Sequence, residues 1–352
     1  MRRDQPLSQE PVDPFDFALG LVLCIRARTW HEPQTGRLHA PGIPGVYFGN
    51  PMCGIVGFFA KSGEQAEAGA TILGMLRALG CRGPDSTGVA LFGATNDGDV
   101  VVRVKLGDGG DLTNQACELA DCLTALGDCT DFSASGAYAR FLARGDVDRD
   151  ALAASIESLA KDFEVVSIGR CLEIVKQTGS PENLEETYCV SDFKGSHGLG
   201  HTRLSTESRV DLSHSQPFWS HGFPDLAIVH NGHITNYHQL RRRYQQRGVR
   251  FYTENDSEVV AIYLAEQLRD GSTLRQALER MLRDLDGSYS CLAATDRELG
   301  FVKDAFALKP LVMTETDDFV AVATEEIALR SALAGSYSVR EAQVKEVRVW
   351  RR

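Results

Sequence analysis

No stretch of the chain approaches the roughly 20 apolar residues that a membrane-spanning helix needs. The apolar run Phe17–Ile25 is short, and Asp4, Glu10, Asp13 and Asp16 follow the basic pair Arg2–Arg3. That order of charges excludes a secretory signal, which carries a basic region in front and a small-residue cleavage site behind. Positive charge is also scarce: 37 Lys and Arg stand against 48 Asp and Glu, for a net charge of -11. An acidic chain of this kind is not built to hold nucleic acid or an anionic membrane as its main partner. No CxxC pair occurs, and the nine cysteines are scattered. A disulfide framework is therefore excluded, and the expected compartment is reducing and cytoplasmic, with mostly free thiols. Cys117, Cys122 and Cys129 cluster but have no companion histidine, so no metal site is expected there. There is no glycine-rich phosphate loop, no internal repeat and no low-complexity tract.

What is present is ordinary globular material, 43% hydrophobic and 24% charged over 352 residues. Pro6, Pro11, Pro14, Pro33, Pro41, Pro44 and Pro51 all fall in residues 1–51, which hold most of the 12 prolines. Such a segment forms turns and extended pieces. It reads as a removable leader or as sequence upstream of the working start.

After it the pattern changes at Met52-Cys53-Gly54-Ile55-Val56-Gly57. The continuous apolar run 54–60 predicts a buried strand. Residues 64–79 predict a helix, with Ala68, Ile72, Met75, Leu76 and Leu79 at three- and four-residue spacing. Strands are expected at 89–92 and 100–104. Within a less readable stretch from about 106 to 195, helices are expected near 112–126 and 149–162, and strands at 135–142 and 165–168. Strands return at 198–204 and 226–230, followed by helices at 237–247, 257–269 and 274–285. Short strands close the chain at 289–295, 299–303, 311–314, 319–323 and 344–350. Helices grouped apart from runs of antiparallel strands imply an α+β layered fold rather than a doubly wound one.

Several residues can carry chemistry, and each has a plainer alternative. Cys53 is either a core cysteine at a strand start or a nucleophile. As a nucleophile it needs a base, because a thiol of pKa about 8.5 is only a few per cent thiolate at neutral pH. A free α-amine on the same residue, with a pKa near 7.7–8.0, suits that task. Arg203, near a strand end, is either solvated or a two-point carboxylate binder. Asn231-Gly232 is by itself a tight-turn signal. It can equally offer a side-chain amide and a backbone N–H to a developing oxyanion. Asp256 or a neighbour caps the helix that follows, and its carboxylate can also grip an ammonium group. Arg82-Gly83-Pro84-Asp85 and Lys303-Asp304 to Lys309-Pro310 read as turns.

Taken together and in order, these stretches resemble the class II glutamine amidotransferases. The resemblance runs through Met52-Cys53-Gly54-Ile55-Val56-Gly57, Arg82-Gly83-Pro84-Asp85-Ser86-Thr87-Gly88 and Gly200-His201-Thr202-Arg203-Leu204-Ser205-Thr206. It continues through His230-Asn231-Gly232, Asp256-Ser257-Glu258, Asp286-Gly287-Ser288-Tyr289-Ser290, Lys303-Asp304 to Lys309-Pro310-Leu311 and Ala323-Thr324-Glu325-Glu326. It spans 52 to about 335, with a gap at roughly 93–195.

The resemblance implies a four-layer αββα Ntn-hydrolase sandwich with two antiparallel sheets over 52–352, carrying an insertion at about 93–195. It implies L-glutamine as substrate and no cofactor. Cys53 is implied as nucleophile with its α-amine as base, and Asn231 and Gly232 as the oxyanion hole. Arg203 is implied to bind the substrate α-carboxylate, with the Thr206 hydroxyl beside it, and Asp256 the α-ammonium. Arg82 is implied in a loop that shields the nucleophile. The sequence departs from many relatives at Glu207, where they carry His or Asn. Only about 17 residues follow the last motif. The expectation is therefore a glutaminase subunit similar to those of glutamate synthase-like and N-methylglutamate synthase-like assemblies, whose partner subunits bear FMN and iron–sulfur clusters. Two alternatives stand beside it: another amidohydrolase of the N-terminal-nucleophile type, and a non-catalytic regulatory subunit with Cys53 blocked.

Overall fold

Residues 54–60 are apolar at nearly every position, and the strand they form is buried along its whole length. Strand β1 (Gly54–Ala60) is the middle of the fold. The computed structural model describes residues 53–63, 66–94, 98–126, 129–144, 147–204, 209–221 and 223–352. Residues 1–52 and the loop residues Ser205, Thr206 and Glu207 lie outside the described residues.

In chain order β1 is followed by α1 (Ala68–Ala78), β2 (Ser86–Phe92), β3 (Val100–Lys105), α2 (Leu112–Leu126), β4 (Cys129–Ser135) and β5 (Tyr138–Ala143). Then come α3 (Arg149–Leu159), β6 (Glu164–Gly169), β7 (Leu172–Thr178), α4 (Pro181–Tyr188), β8 (His197–Arg203), β9 (Phe218–Trp219) and β10 (Ala227–Ile234). Helices α5 (Tyr237–Gln246), α6 (Asp256–Arg269) and α7 (Leu274–Asp284) lead to β11 (Gly287–Ala294), β12 (Glu298–Lys303), β13 (Val312–Glu315) and β14 (Phe319–Ala323). Helix α8 (Glu326–Ala332), β15 (Arg340–Glu341) and β16 (Val347–Arg351) complete the described elements.

A seven-stranded sheet runs β15-β13-β14-β1-β8-β2-β7, and a five-stranded one runs β16-β12-β11-β10-β9. Every ladder among the named strands is antiparallel. Alternate side chains of β1 serve two cores, as a period of two requires. Ile55 and Phe59 join Leu199, Leu292, Leu299 and Phe301 between the sheets. Val56, Phe58 and Ala60 pack with Ile72, Leu73 and Leu76 of α1 on the outer face. Helices α6 and α7 bury Val260, Leu264, Leu278 and Met281 against the outside of the second sheet. This is the expected αββα order of layers. The helix ends are set locally. Asn255 caps α6, its Oδ1 accepting the Ser257 N–H at 3.0 Å, and Thr273 with Gln276 forms a capping box on α7.

The region 93–195, expected as an insertion, contains a third, four-stranded sheet in the order β4-β5-β3-β6. Its apolar face is continuous with the core between the other two sheets, since Val102, Phe141, Ile156 and Ile168 belong to the same cluster as Ile55 and Leu199. The strand expected at 135–142 is instead the turn and second arm of a hairpin. Gly136 sits at φ 53, a left-handed conformation that glycine adopts without steric cost, and the chain reverses there. Strand β7 joins the large sheet beside β2. No helix among the described residues is long and apolar enough to cross a membrane.

Candidate active site

Cys53 stands at the entrance of β1, between β14 on one side and β8 on the other. Thr324, just past β14, holds this point twice: its Oγ1 accepts the Ile55 N–H at 2.8 Å and its own N–H is donated to the Ile55 carbonyl at 2.9 Å. Gly54 must be small, because a Cβ there would lie 2.8 Å from Thr202 Oγ1. The thiol points at the Leu204 carbonyl, 3.6 Å away. Burial pushes the Cys53 thiol above its ordinary value, an effect partly offset by the nearby Arg203 guanidinium. The thiol is therefore a poor spontaneous thiolate.

Arg203 closes β8 and is almost fully buried. The Arg82-Gly83-Pro84-Asp85 turn props it from below. Pro84 bridges to Arg203, and the Asp85 N–H is donated to the Arg203 carbonyl at 3.0 Å. A Cβ on Gly83 would come within 2.5 Å of the Thr202 carbonyl carbon, so only glycine lets this turn approach β8 so closely. The Arg203 guanidinium donates to the Arg209 carbonyl at 2.9 Å.

Asn231 and Gly232 are not in a turn. β10 runs straight through them to Ile234, paired with β11 in unbroken register. Gly232 takes φ 142, and a Cβ on it would meet Ser288 O at 2.2 Å, which is why the strand needs glycine at this point. Asn231 Nδ2 donates to the Cys53 carbonyl at 2.9 Å, so the amide is tied to the residue that carries the thiol. Asp256 opens α6, and its Oδ2 accepts the Ile234 N–H at 2.9 Å. It is the first residue of the helix; Asn255 is the cap.

Cys53, Arg203, Asn231, Gly232 and Asp256 all line one cavity of about 550 Å³. Arg82 does not line it. Its guanidinium turns to Glu325, so the structure makes Arg82 a strut between the turn before β2 and the start of α8 rather than a cavity residue. Thr206 lies outside the described residues.

Three side chains had no role in the sequence reading. His214 is buried between two carboxylates, Asp211 at 2.7 Å and Glu254 at 3.2 Å, and its carbonyl accepts from Asn255 Nδ2 at 3.3 Å. It couples the loop after Arg203 to the loop before Asp256. His230 is buried below Asn231, with Nδ1 3.0 Å from Ser257 Oγ, and burial lowers its pKa from the usual histidine range. Gln216 lines the cavity and bonds the main chain of His230. His230 stands in the His230-Asn231-Gly232 motif, but no spacing marks His214. Gln216 has a faint signal, a polar residue directly ahead of a proline and a strand.

Residues 201–331 match the family described as the glutamine amidotransferase domain. A Methanothermobacter thermautotrophicus protein named "Putative glutamine amidotransferase" is 35% identical over 305 residues, covering 85% of this chain and 99% of that protein. The chain belongs to the glutamine amidotransferase family. The glutamine amidotransferase-like protein GlxB of Rhizobium meliloti is also 35% identical, over 85% of this amidotransferase chain and 95% of its own. The amidophosphoribosyltransferase of M. thermautotrophicus is 32% identical over 51% of the chain, but over only 36% of its own length. Among solved structures, the glutamine phosphoribosylpyrophosphate amidotransferase of B. subtilis superposes with a TM-score of 0.54 at 21% identity, covering 85% of this chain and 47% of that one. The fold is thus that of the class II, Ntn-type amidotransferases.

Proposed function

We propose that this amidotransferase hydrolyses L-glutamine to L-glutamate and ammonia through a thioester on Cys53. The observation that carries the reading is the convergence of Cys53, Arg203, Asn231, Gly232 and Asp256 on one cavity. The substrate is a zwitterion at one end and an amide at the other. Arg203 suits its α-carboxylate, since a guanidinium binds carboxylates at two points. Asp256 suits its α-ammonium. The Thr206 hydroxyl beside the carboxylate belongs to the same proposal.

The α-amine of Cys53, once no residue precedes it, takes the thiol proton. Sulfur attacks the side-chain carbonyl carbon, and the carbonyl oxygen becomes an oxyanion stabilised by the Gly232 N–H and the Asn231 amide. The amine returns its proton to the leaving nitrogen, the C–N bond breaks and ammonia departs. Water then attacks the thioester, again through an oxyanion, and the C–S bond breaks to release glutamate and the thiol. The raised pKa of the thiol favours a mechanism in which the base acts during attack.

The ammonia passes to a synthase in a partner subunit. Support comes from the two relatives matched over 99% and 95% of their own lengths, which leaves them no fused synthase of their own. A glutamate synthase-like partner bearing FMN and iron–sulfur clusters is the proposed acceptor, in the cytoplasm. The test is mass spectrometry of the native N-terminus together with ammonia release from glutamine. A chain starting at Cys53 that loses ammonia release in Cys53→Ala supports the reading. An active Cys53→Ala variant refutes the nucleophile, and an inactive chain that still begins at Met1 favours the blocked, regulatory alternative.

A further inference from the structure

In an antiparallel ladder the main-chain N–H and C=O of alternate residues face the same side. On β10 the His230 groups face away from β11, so those of Gly232 and Ile234 do too. This outer edge is covered by β9 only at Ala227 and Ile228. The next residue back along the chain is Pro217, which has no N–H to give. The side chain of Gln216 takes over the ladder here. Its Oε1 accepts the His230 N–H at 2.6 Å and its Nε2 donates to the His230 carbonyl at 2.8 Å. One carboxamide thus makes the pair of bonds that a neighbouring strand residue would make. Four residues further on, Asp256 accepts the Ile234 N–H on the same edge. Gly232 lies between these two anchors and lines the same cavity as Gln216 and Asp256.

We infer that Gln216 is a positioning residue for the oxyanion hole: it completes the edge of β10 one residue before Asn231 and so fixes where the Asn231 amide and the Gly232 N–H point. The inference rests on the reading of those two groups as oxyanion donors. Gln216 is held firmly enough for the task. It is buried, and its own carbonyl packs on Gly88, where a Cβ would come within 2.1 Å. Without the carboxamide, a buried N–H and C=O of His230 lose their partners, and the strand shifts to find others.

The test compares the wild-type chain with Gln216→Leu and Gln216→Glu by kcat and KM for glutamine hydrolysis, and by the rate of Cys53 alkylation with iodoacetamide. A misplacement of about 1 Å in a catalytic group costs on the order of 100-fold in rate. Gln216→Leu is therefore expected to lose about 10- to 100-fold in kcat with KM nearly unchanged. Gln216→Glu keeps the acceptor, loses the donor and falls between. Alkylation develops no carbonyl oxyanion and is expected to proceed at the wild-type rate. An unchanged kcat in Gln216→Leu overturns the inference. So does a variant in which kcat, KM and alkylation all worsen together, because that reports general loosening. If Gln216→Leu does not fold, Gln216→Glu carries the same comparison. A wild-type chain that alkylates at Cys53 but releases no ammonia from glutamine defeats the glutaminase reading first, and this inference with it.

Discussion

Replacing Gly232 by alanine tests the oxyanion assignment, and a built-in control separates catalysis from folding. At φ 142 an alanine is strained, and its Cβ would sit 2.2 Å from Ser288 O and 2.6 Å from Tyr289 Cα, both backbone atoms of a central strand. Backbone strain of this kind costs about 1–3 kcal/mol, and overpacking a further 1–3 kcal/mol or so. The expected loss of stability is thus about 2–6 kcal/mol. Gly287, on the neighbouring strand, is in the same predicament: φ 137, with a Cβ 2.0 Å from His233 O, but it does not line the cavity. Gly287→Ala should lose a similar amount of stability by urea denaturation. On the proposed assignment only Gly232→Ala displaces an oxyanion donor, which typically costs about 10²–10³ in kcat. Both variants are assayed for ammonia release well below their unfolding midpoints. Equal kcat in the two would refute the assignment of the Gly232 N–H.

Asp256→Asn keeps an oxygen for the Ile234 N–H but removes the charge that the proposed function offers to the substrate ammonium. Losing a charge-assisted hydrogen bond of about 1.5–3 kcal/mol predicts a KM roughly 10- to 150-fold higher with stability little changed, and an unaltered KM would exclude the role. For Cys53 the sign follows from its raised pKa. The native state holds the thiol proton more tightly than the unfolded chain does. Its contribution to stability is thus complete below the ordinary value of 9.0 and lost as pH rises through the folded value. With the α-amine acetylated, alkylation by iodoacetamide should still be accelerating at pH 9; a plateau below that would contradict the burial argument. Glu346 shows the opposite sign, held down to about 2 chiefly by its hydrogen bonds to Arg340. Its contribution is present above about pH 4.5 and lost towards pH 2, so Glu346→Gln should flatten that part of the acid-denaturation curve.

Much of the layered fold was legible because its strands are buried and its helices amphipathic. The run 54–60 is β1 from end to end, and the 112–126 and 274–285 patterns are helices within a residue. What escaped was set by tertiary contact. Asn231-Gly232 carries a strong local turn signal, yet pairing with Ser290 and Tyr289 carries the strand through it. The paired residues 172–178 and the helix 181–188 had no signal strong enough to read. Cys53, Arg203, Asn231, Gly232 and Asp256 were legible through their order along the chain, and their convergence on one cavity adds the geometry. Arg82 was legible as a motif but not in its partner, because nothing in the sequence pairs it with Glu325, 243 positions away. Gln216 acts through the main chain of His230 and His214 through the carboxylates of two loops, and such roles leave almost no pattern in composition or spacing.

The third sheet bears on how the molecule comes apart. Phe141 and Ile168 of the third sheet and Ile55 and Leu292 of the sandwich sit in one apolar cluster. Excising residues between β2 and β8 would open that cluster to water on the sandwich side, within a few residues of Cys53. The third sheet and the sandwich therefore share one apolar cluster, and melting in a single transition is the outcome expected by calorimetry. A change far out on the third sheet is expected to reach Cys53 as a loss of common stability rather than as a local disturbance.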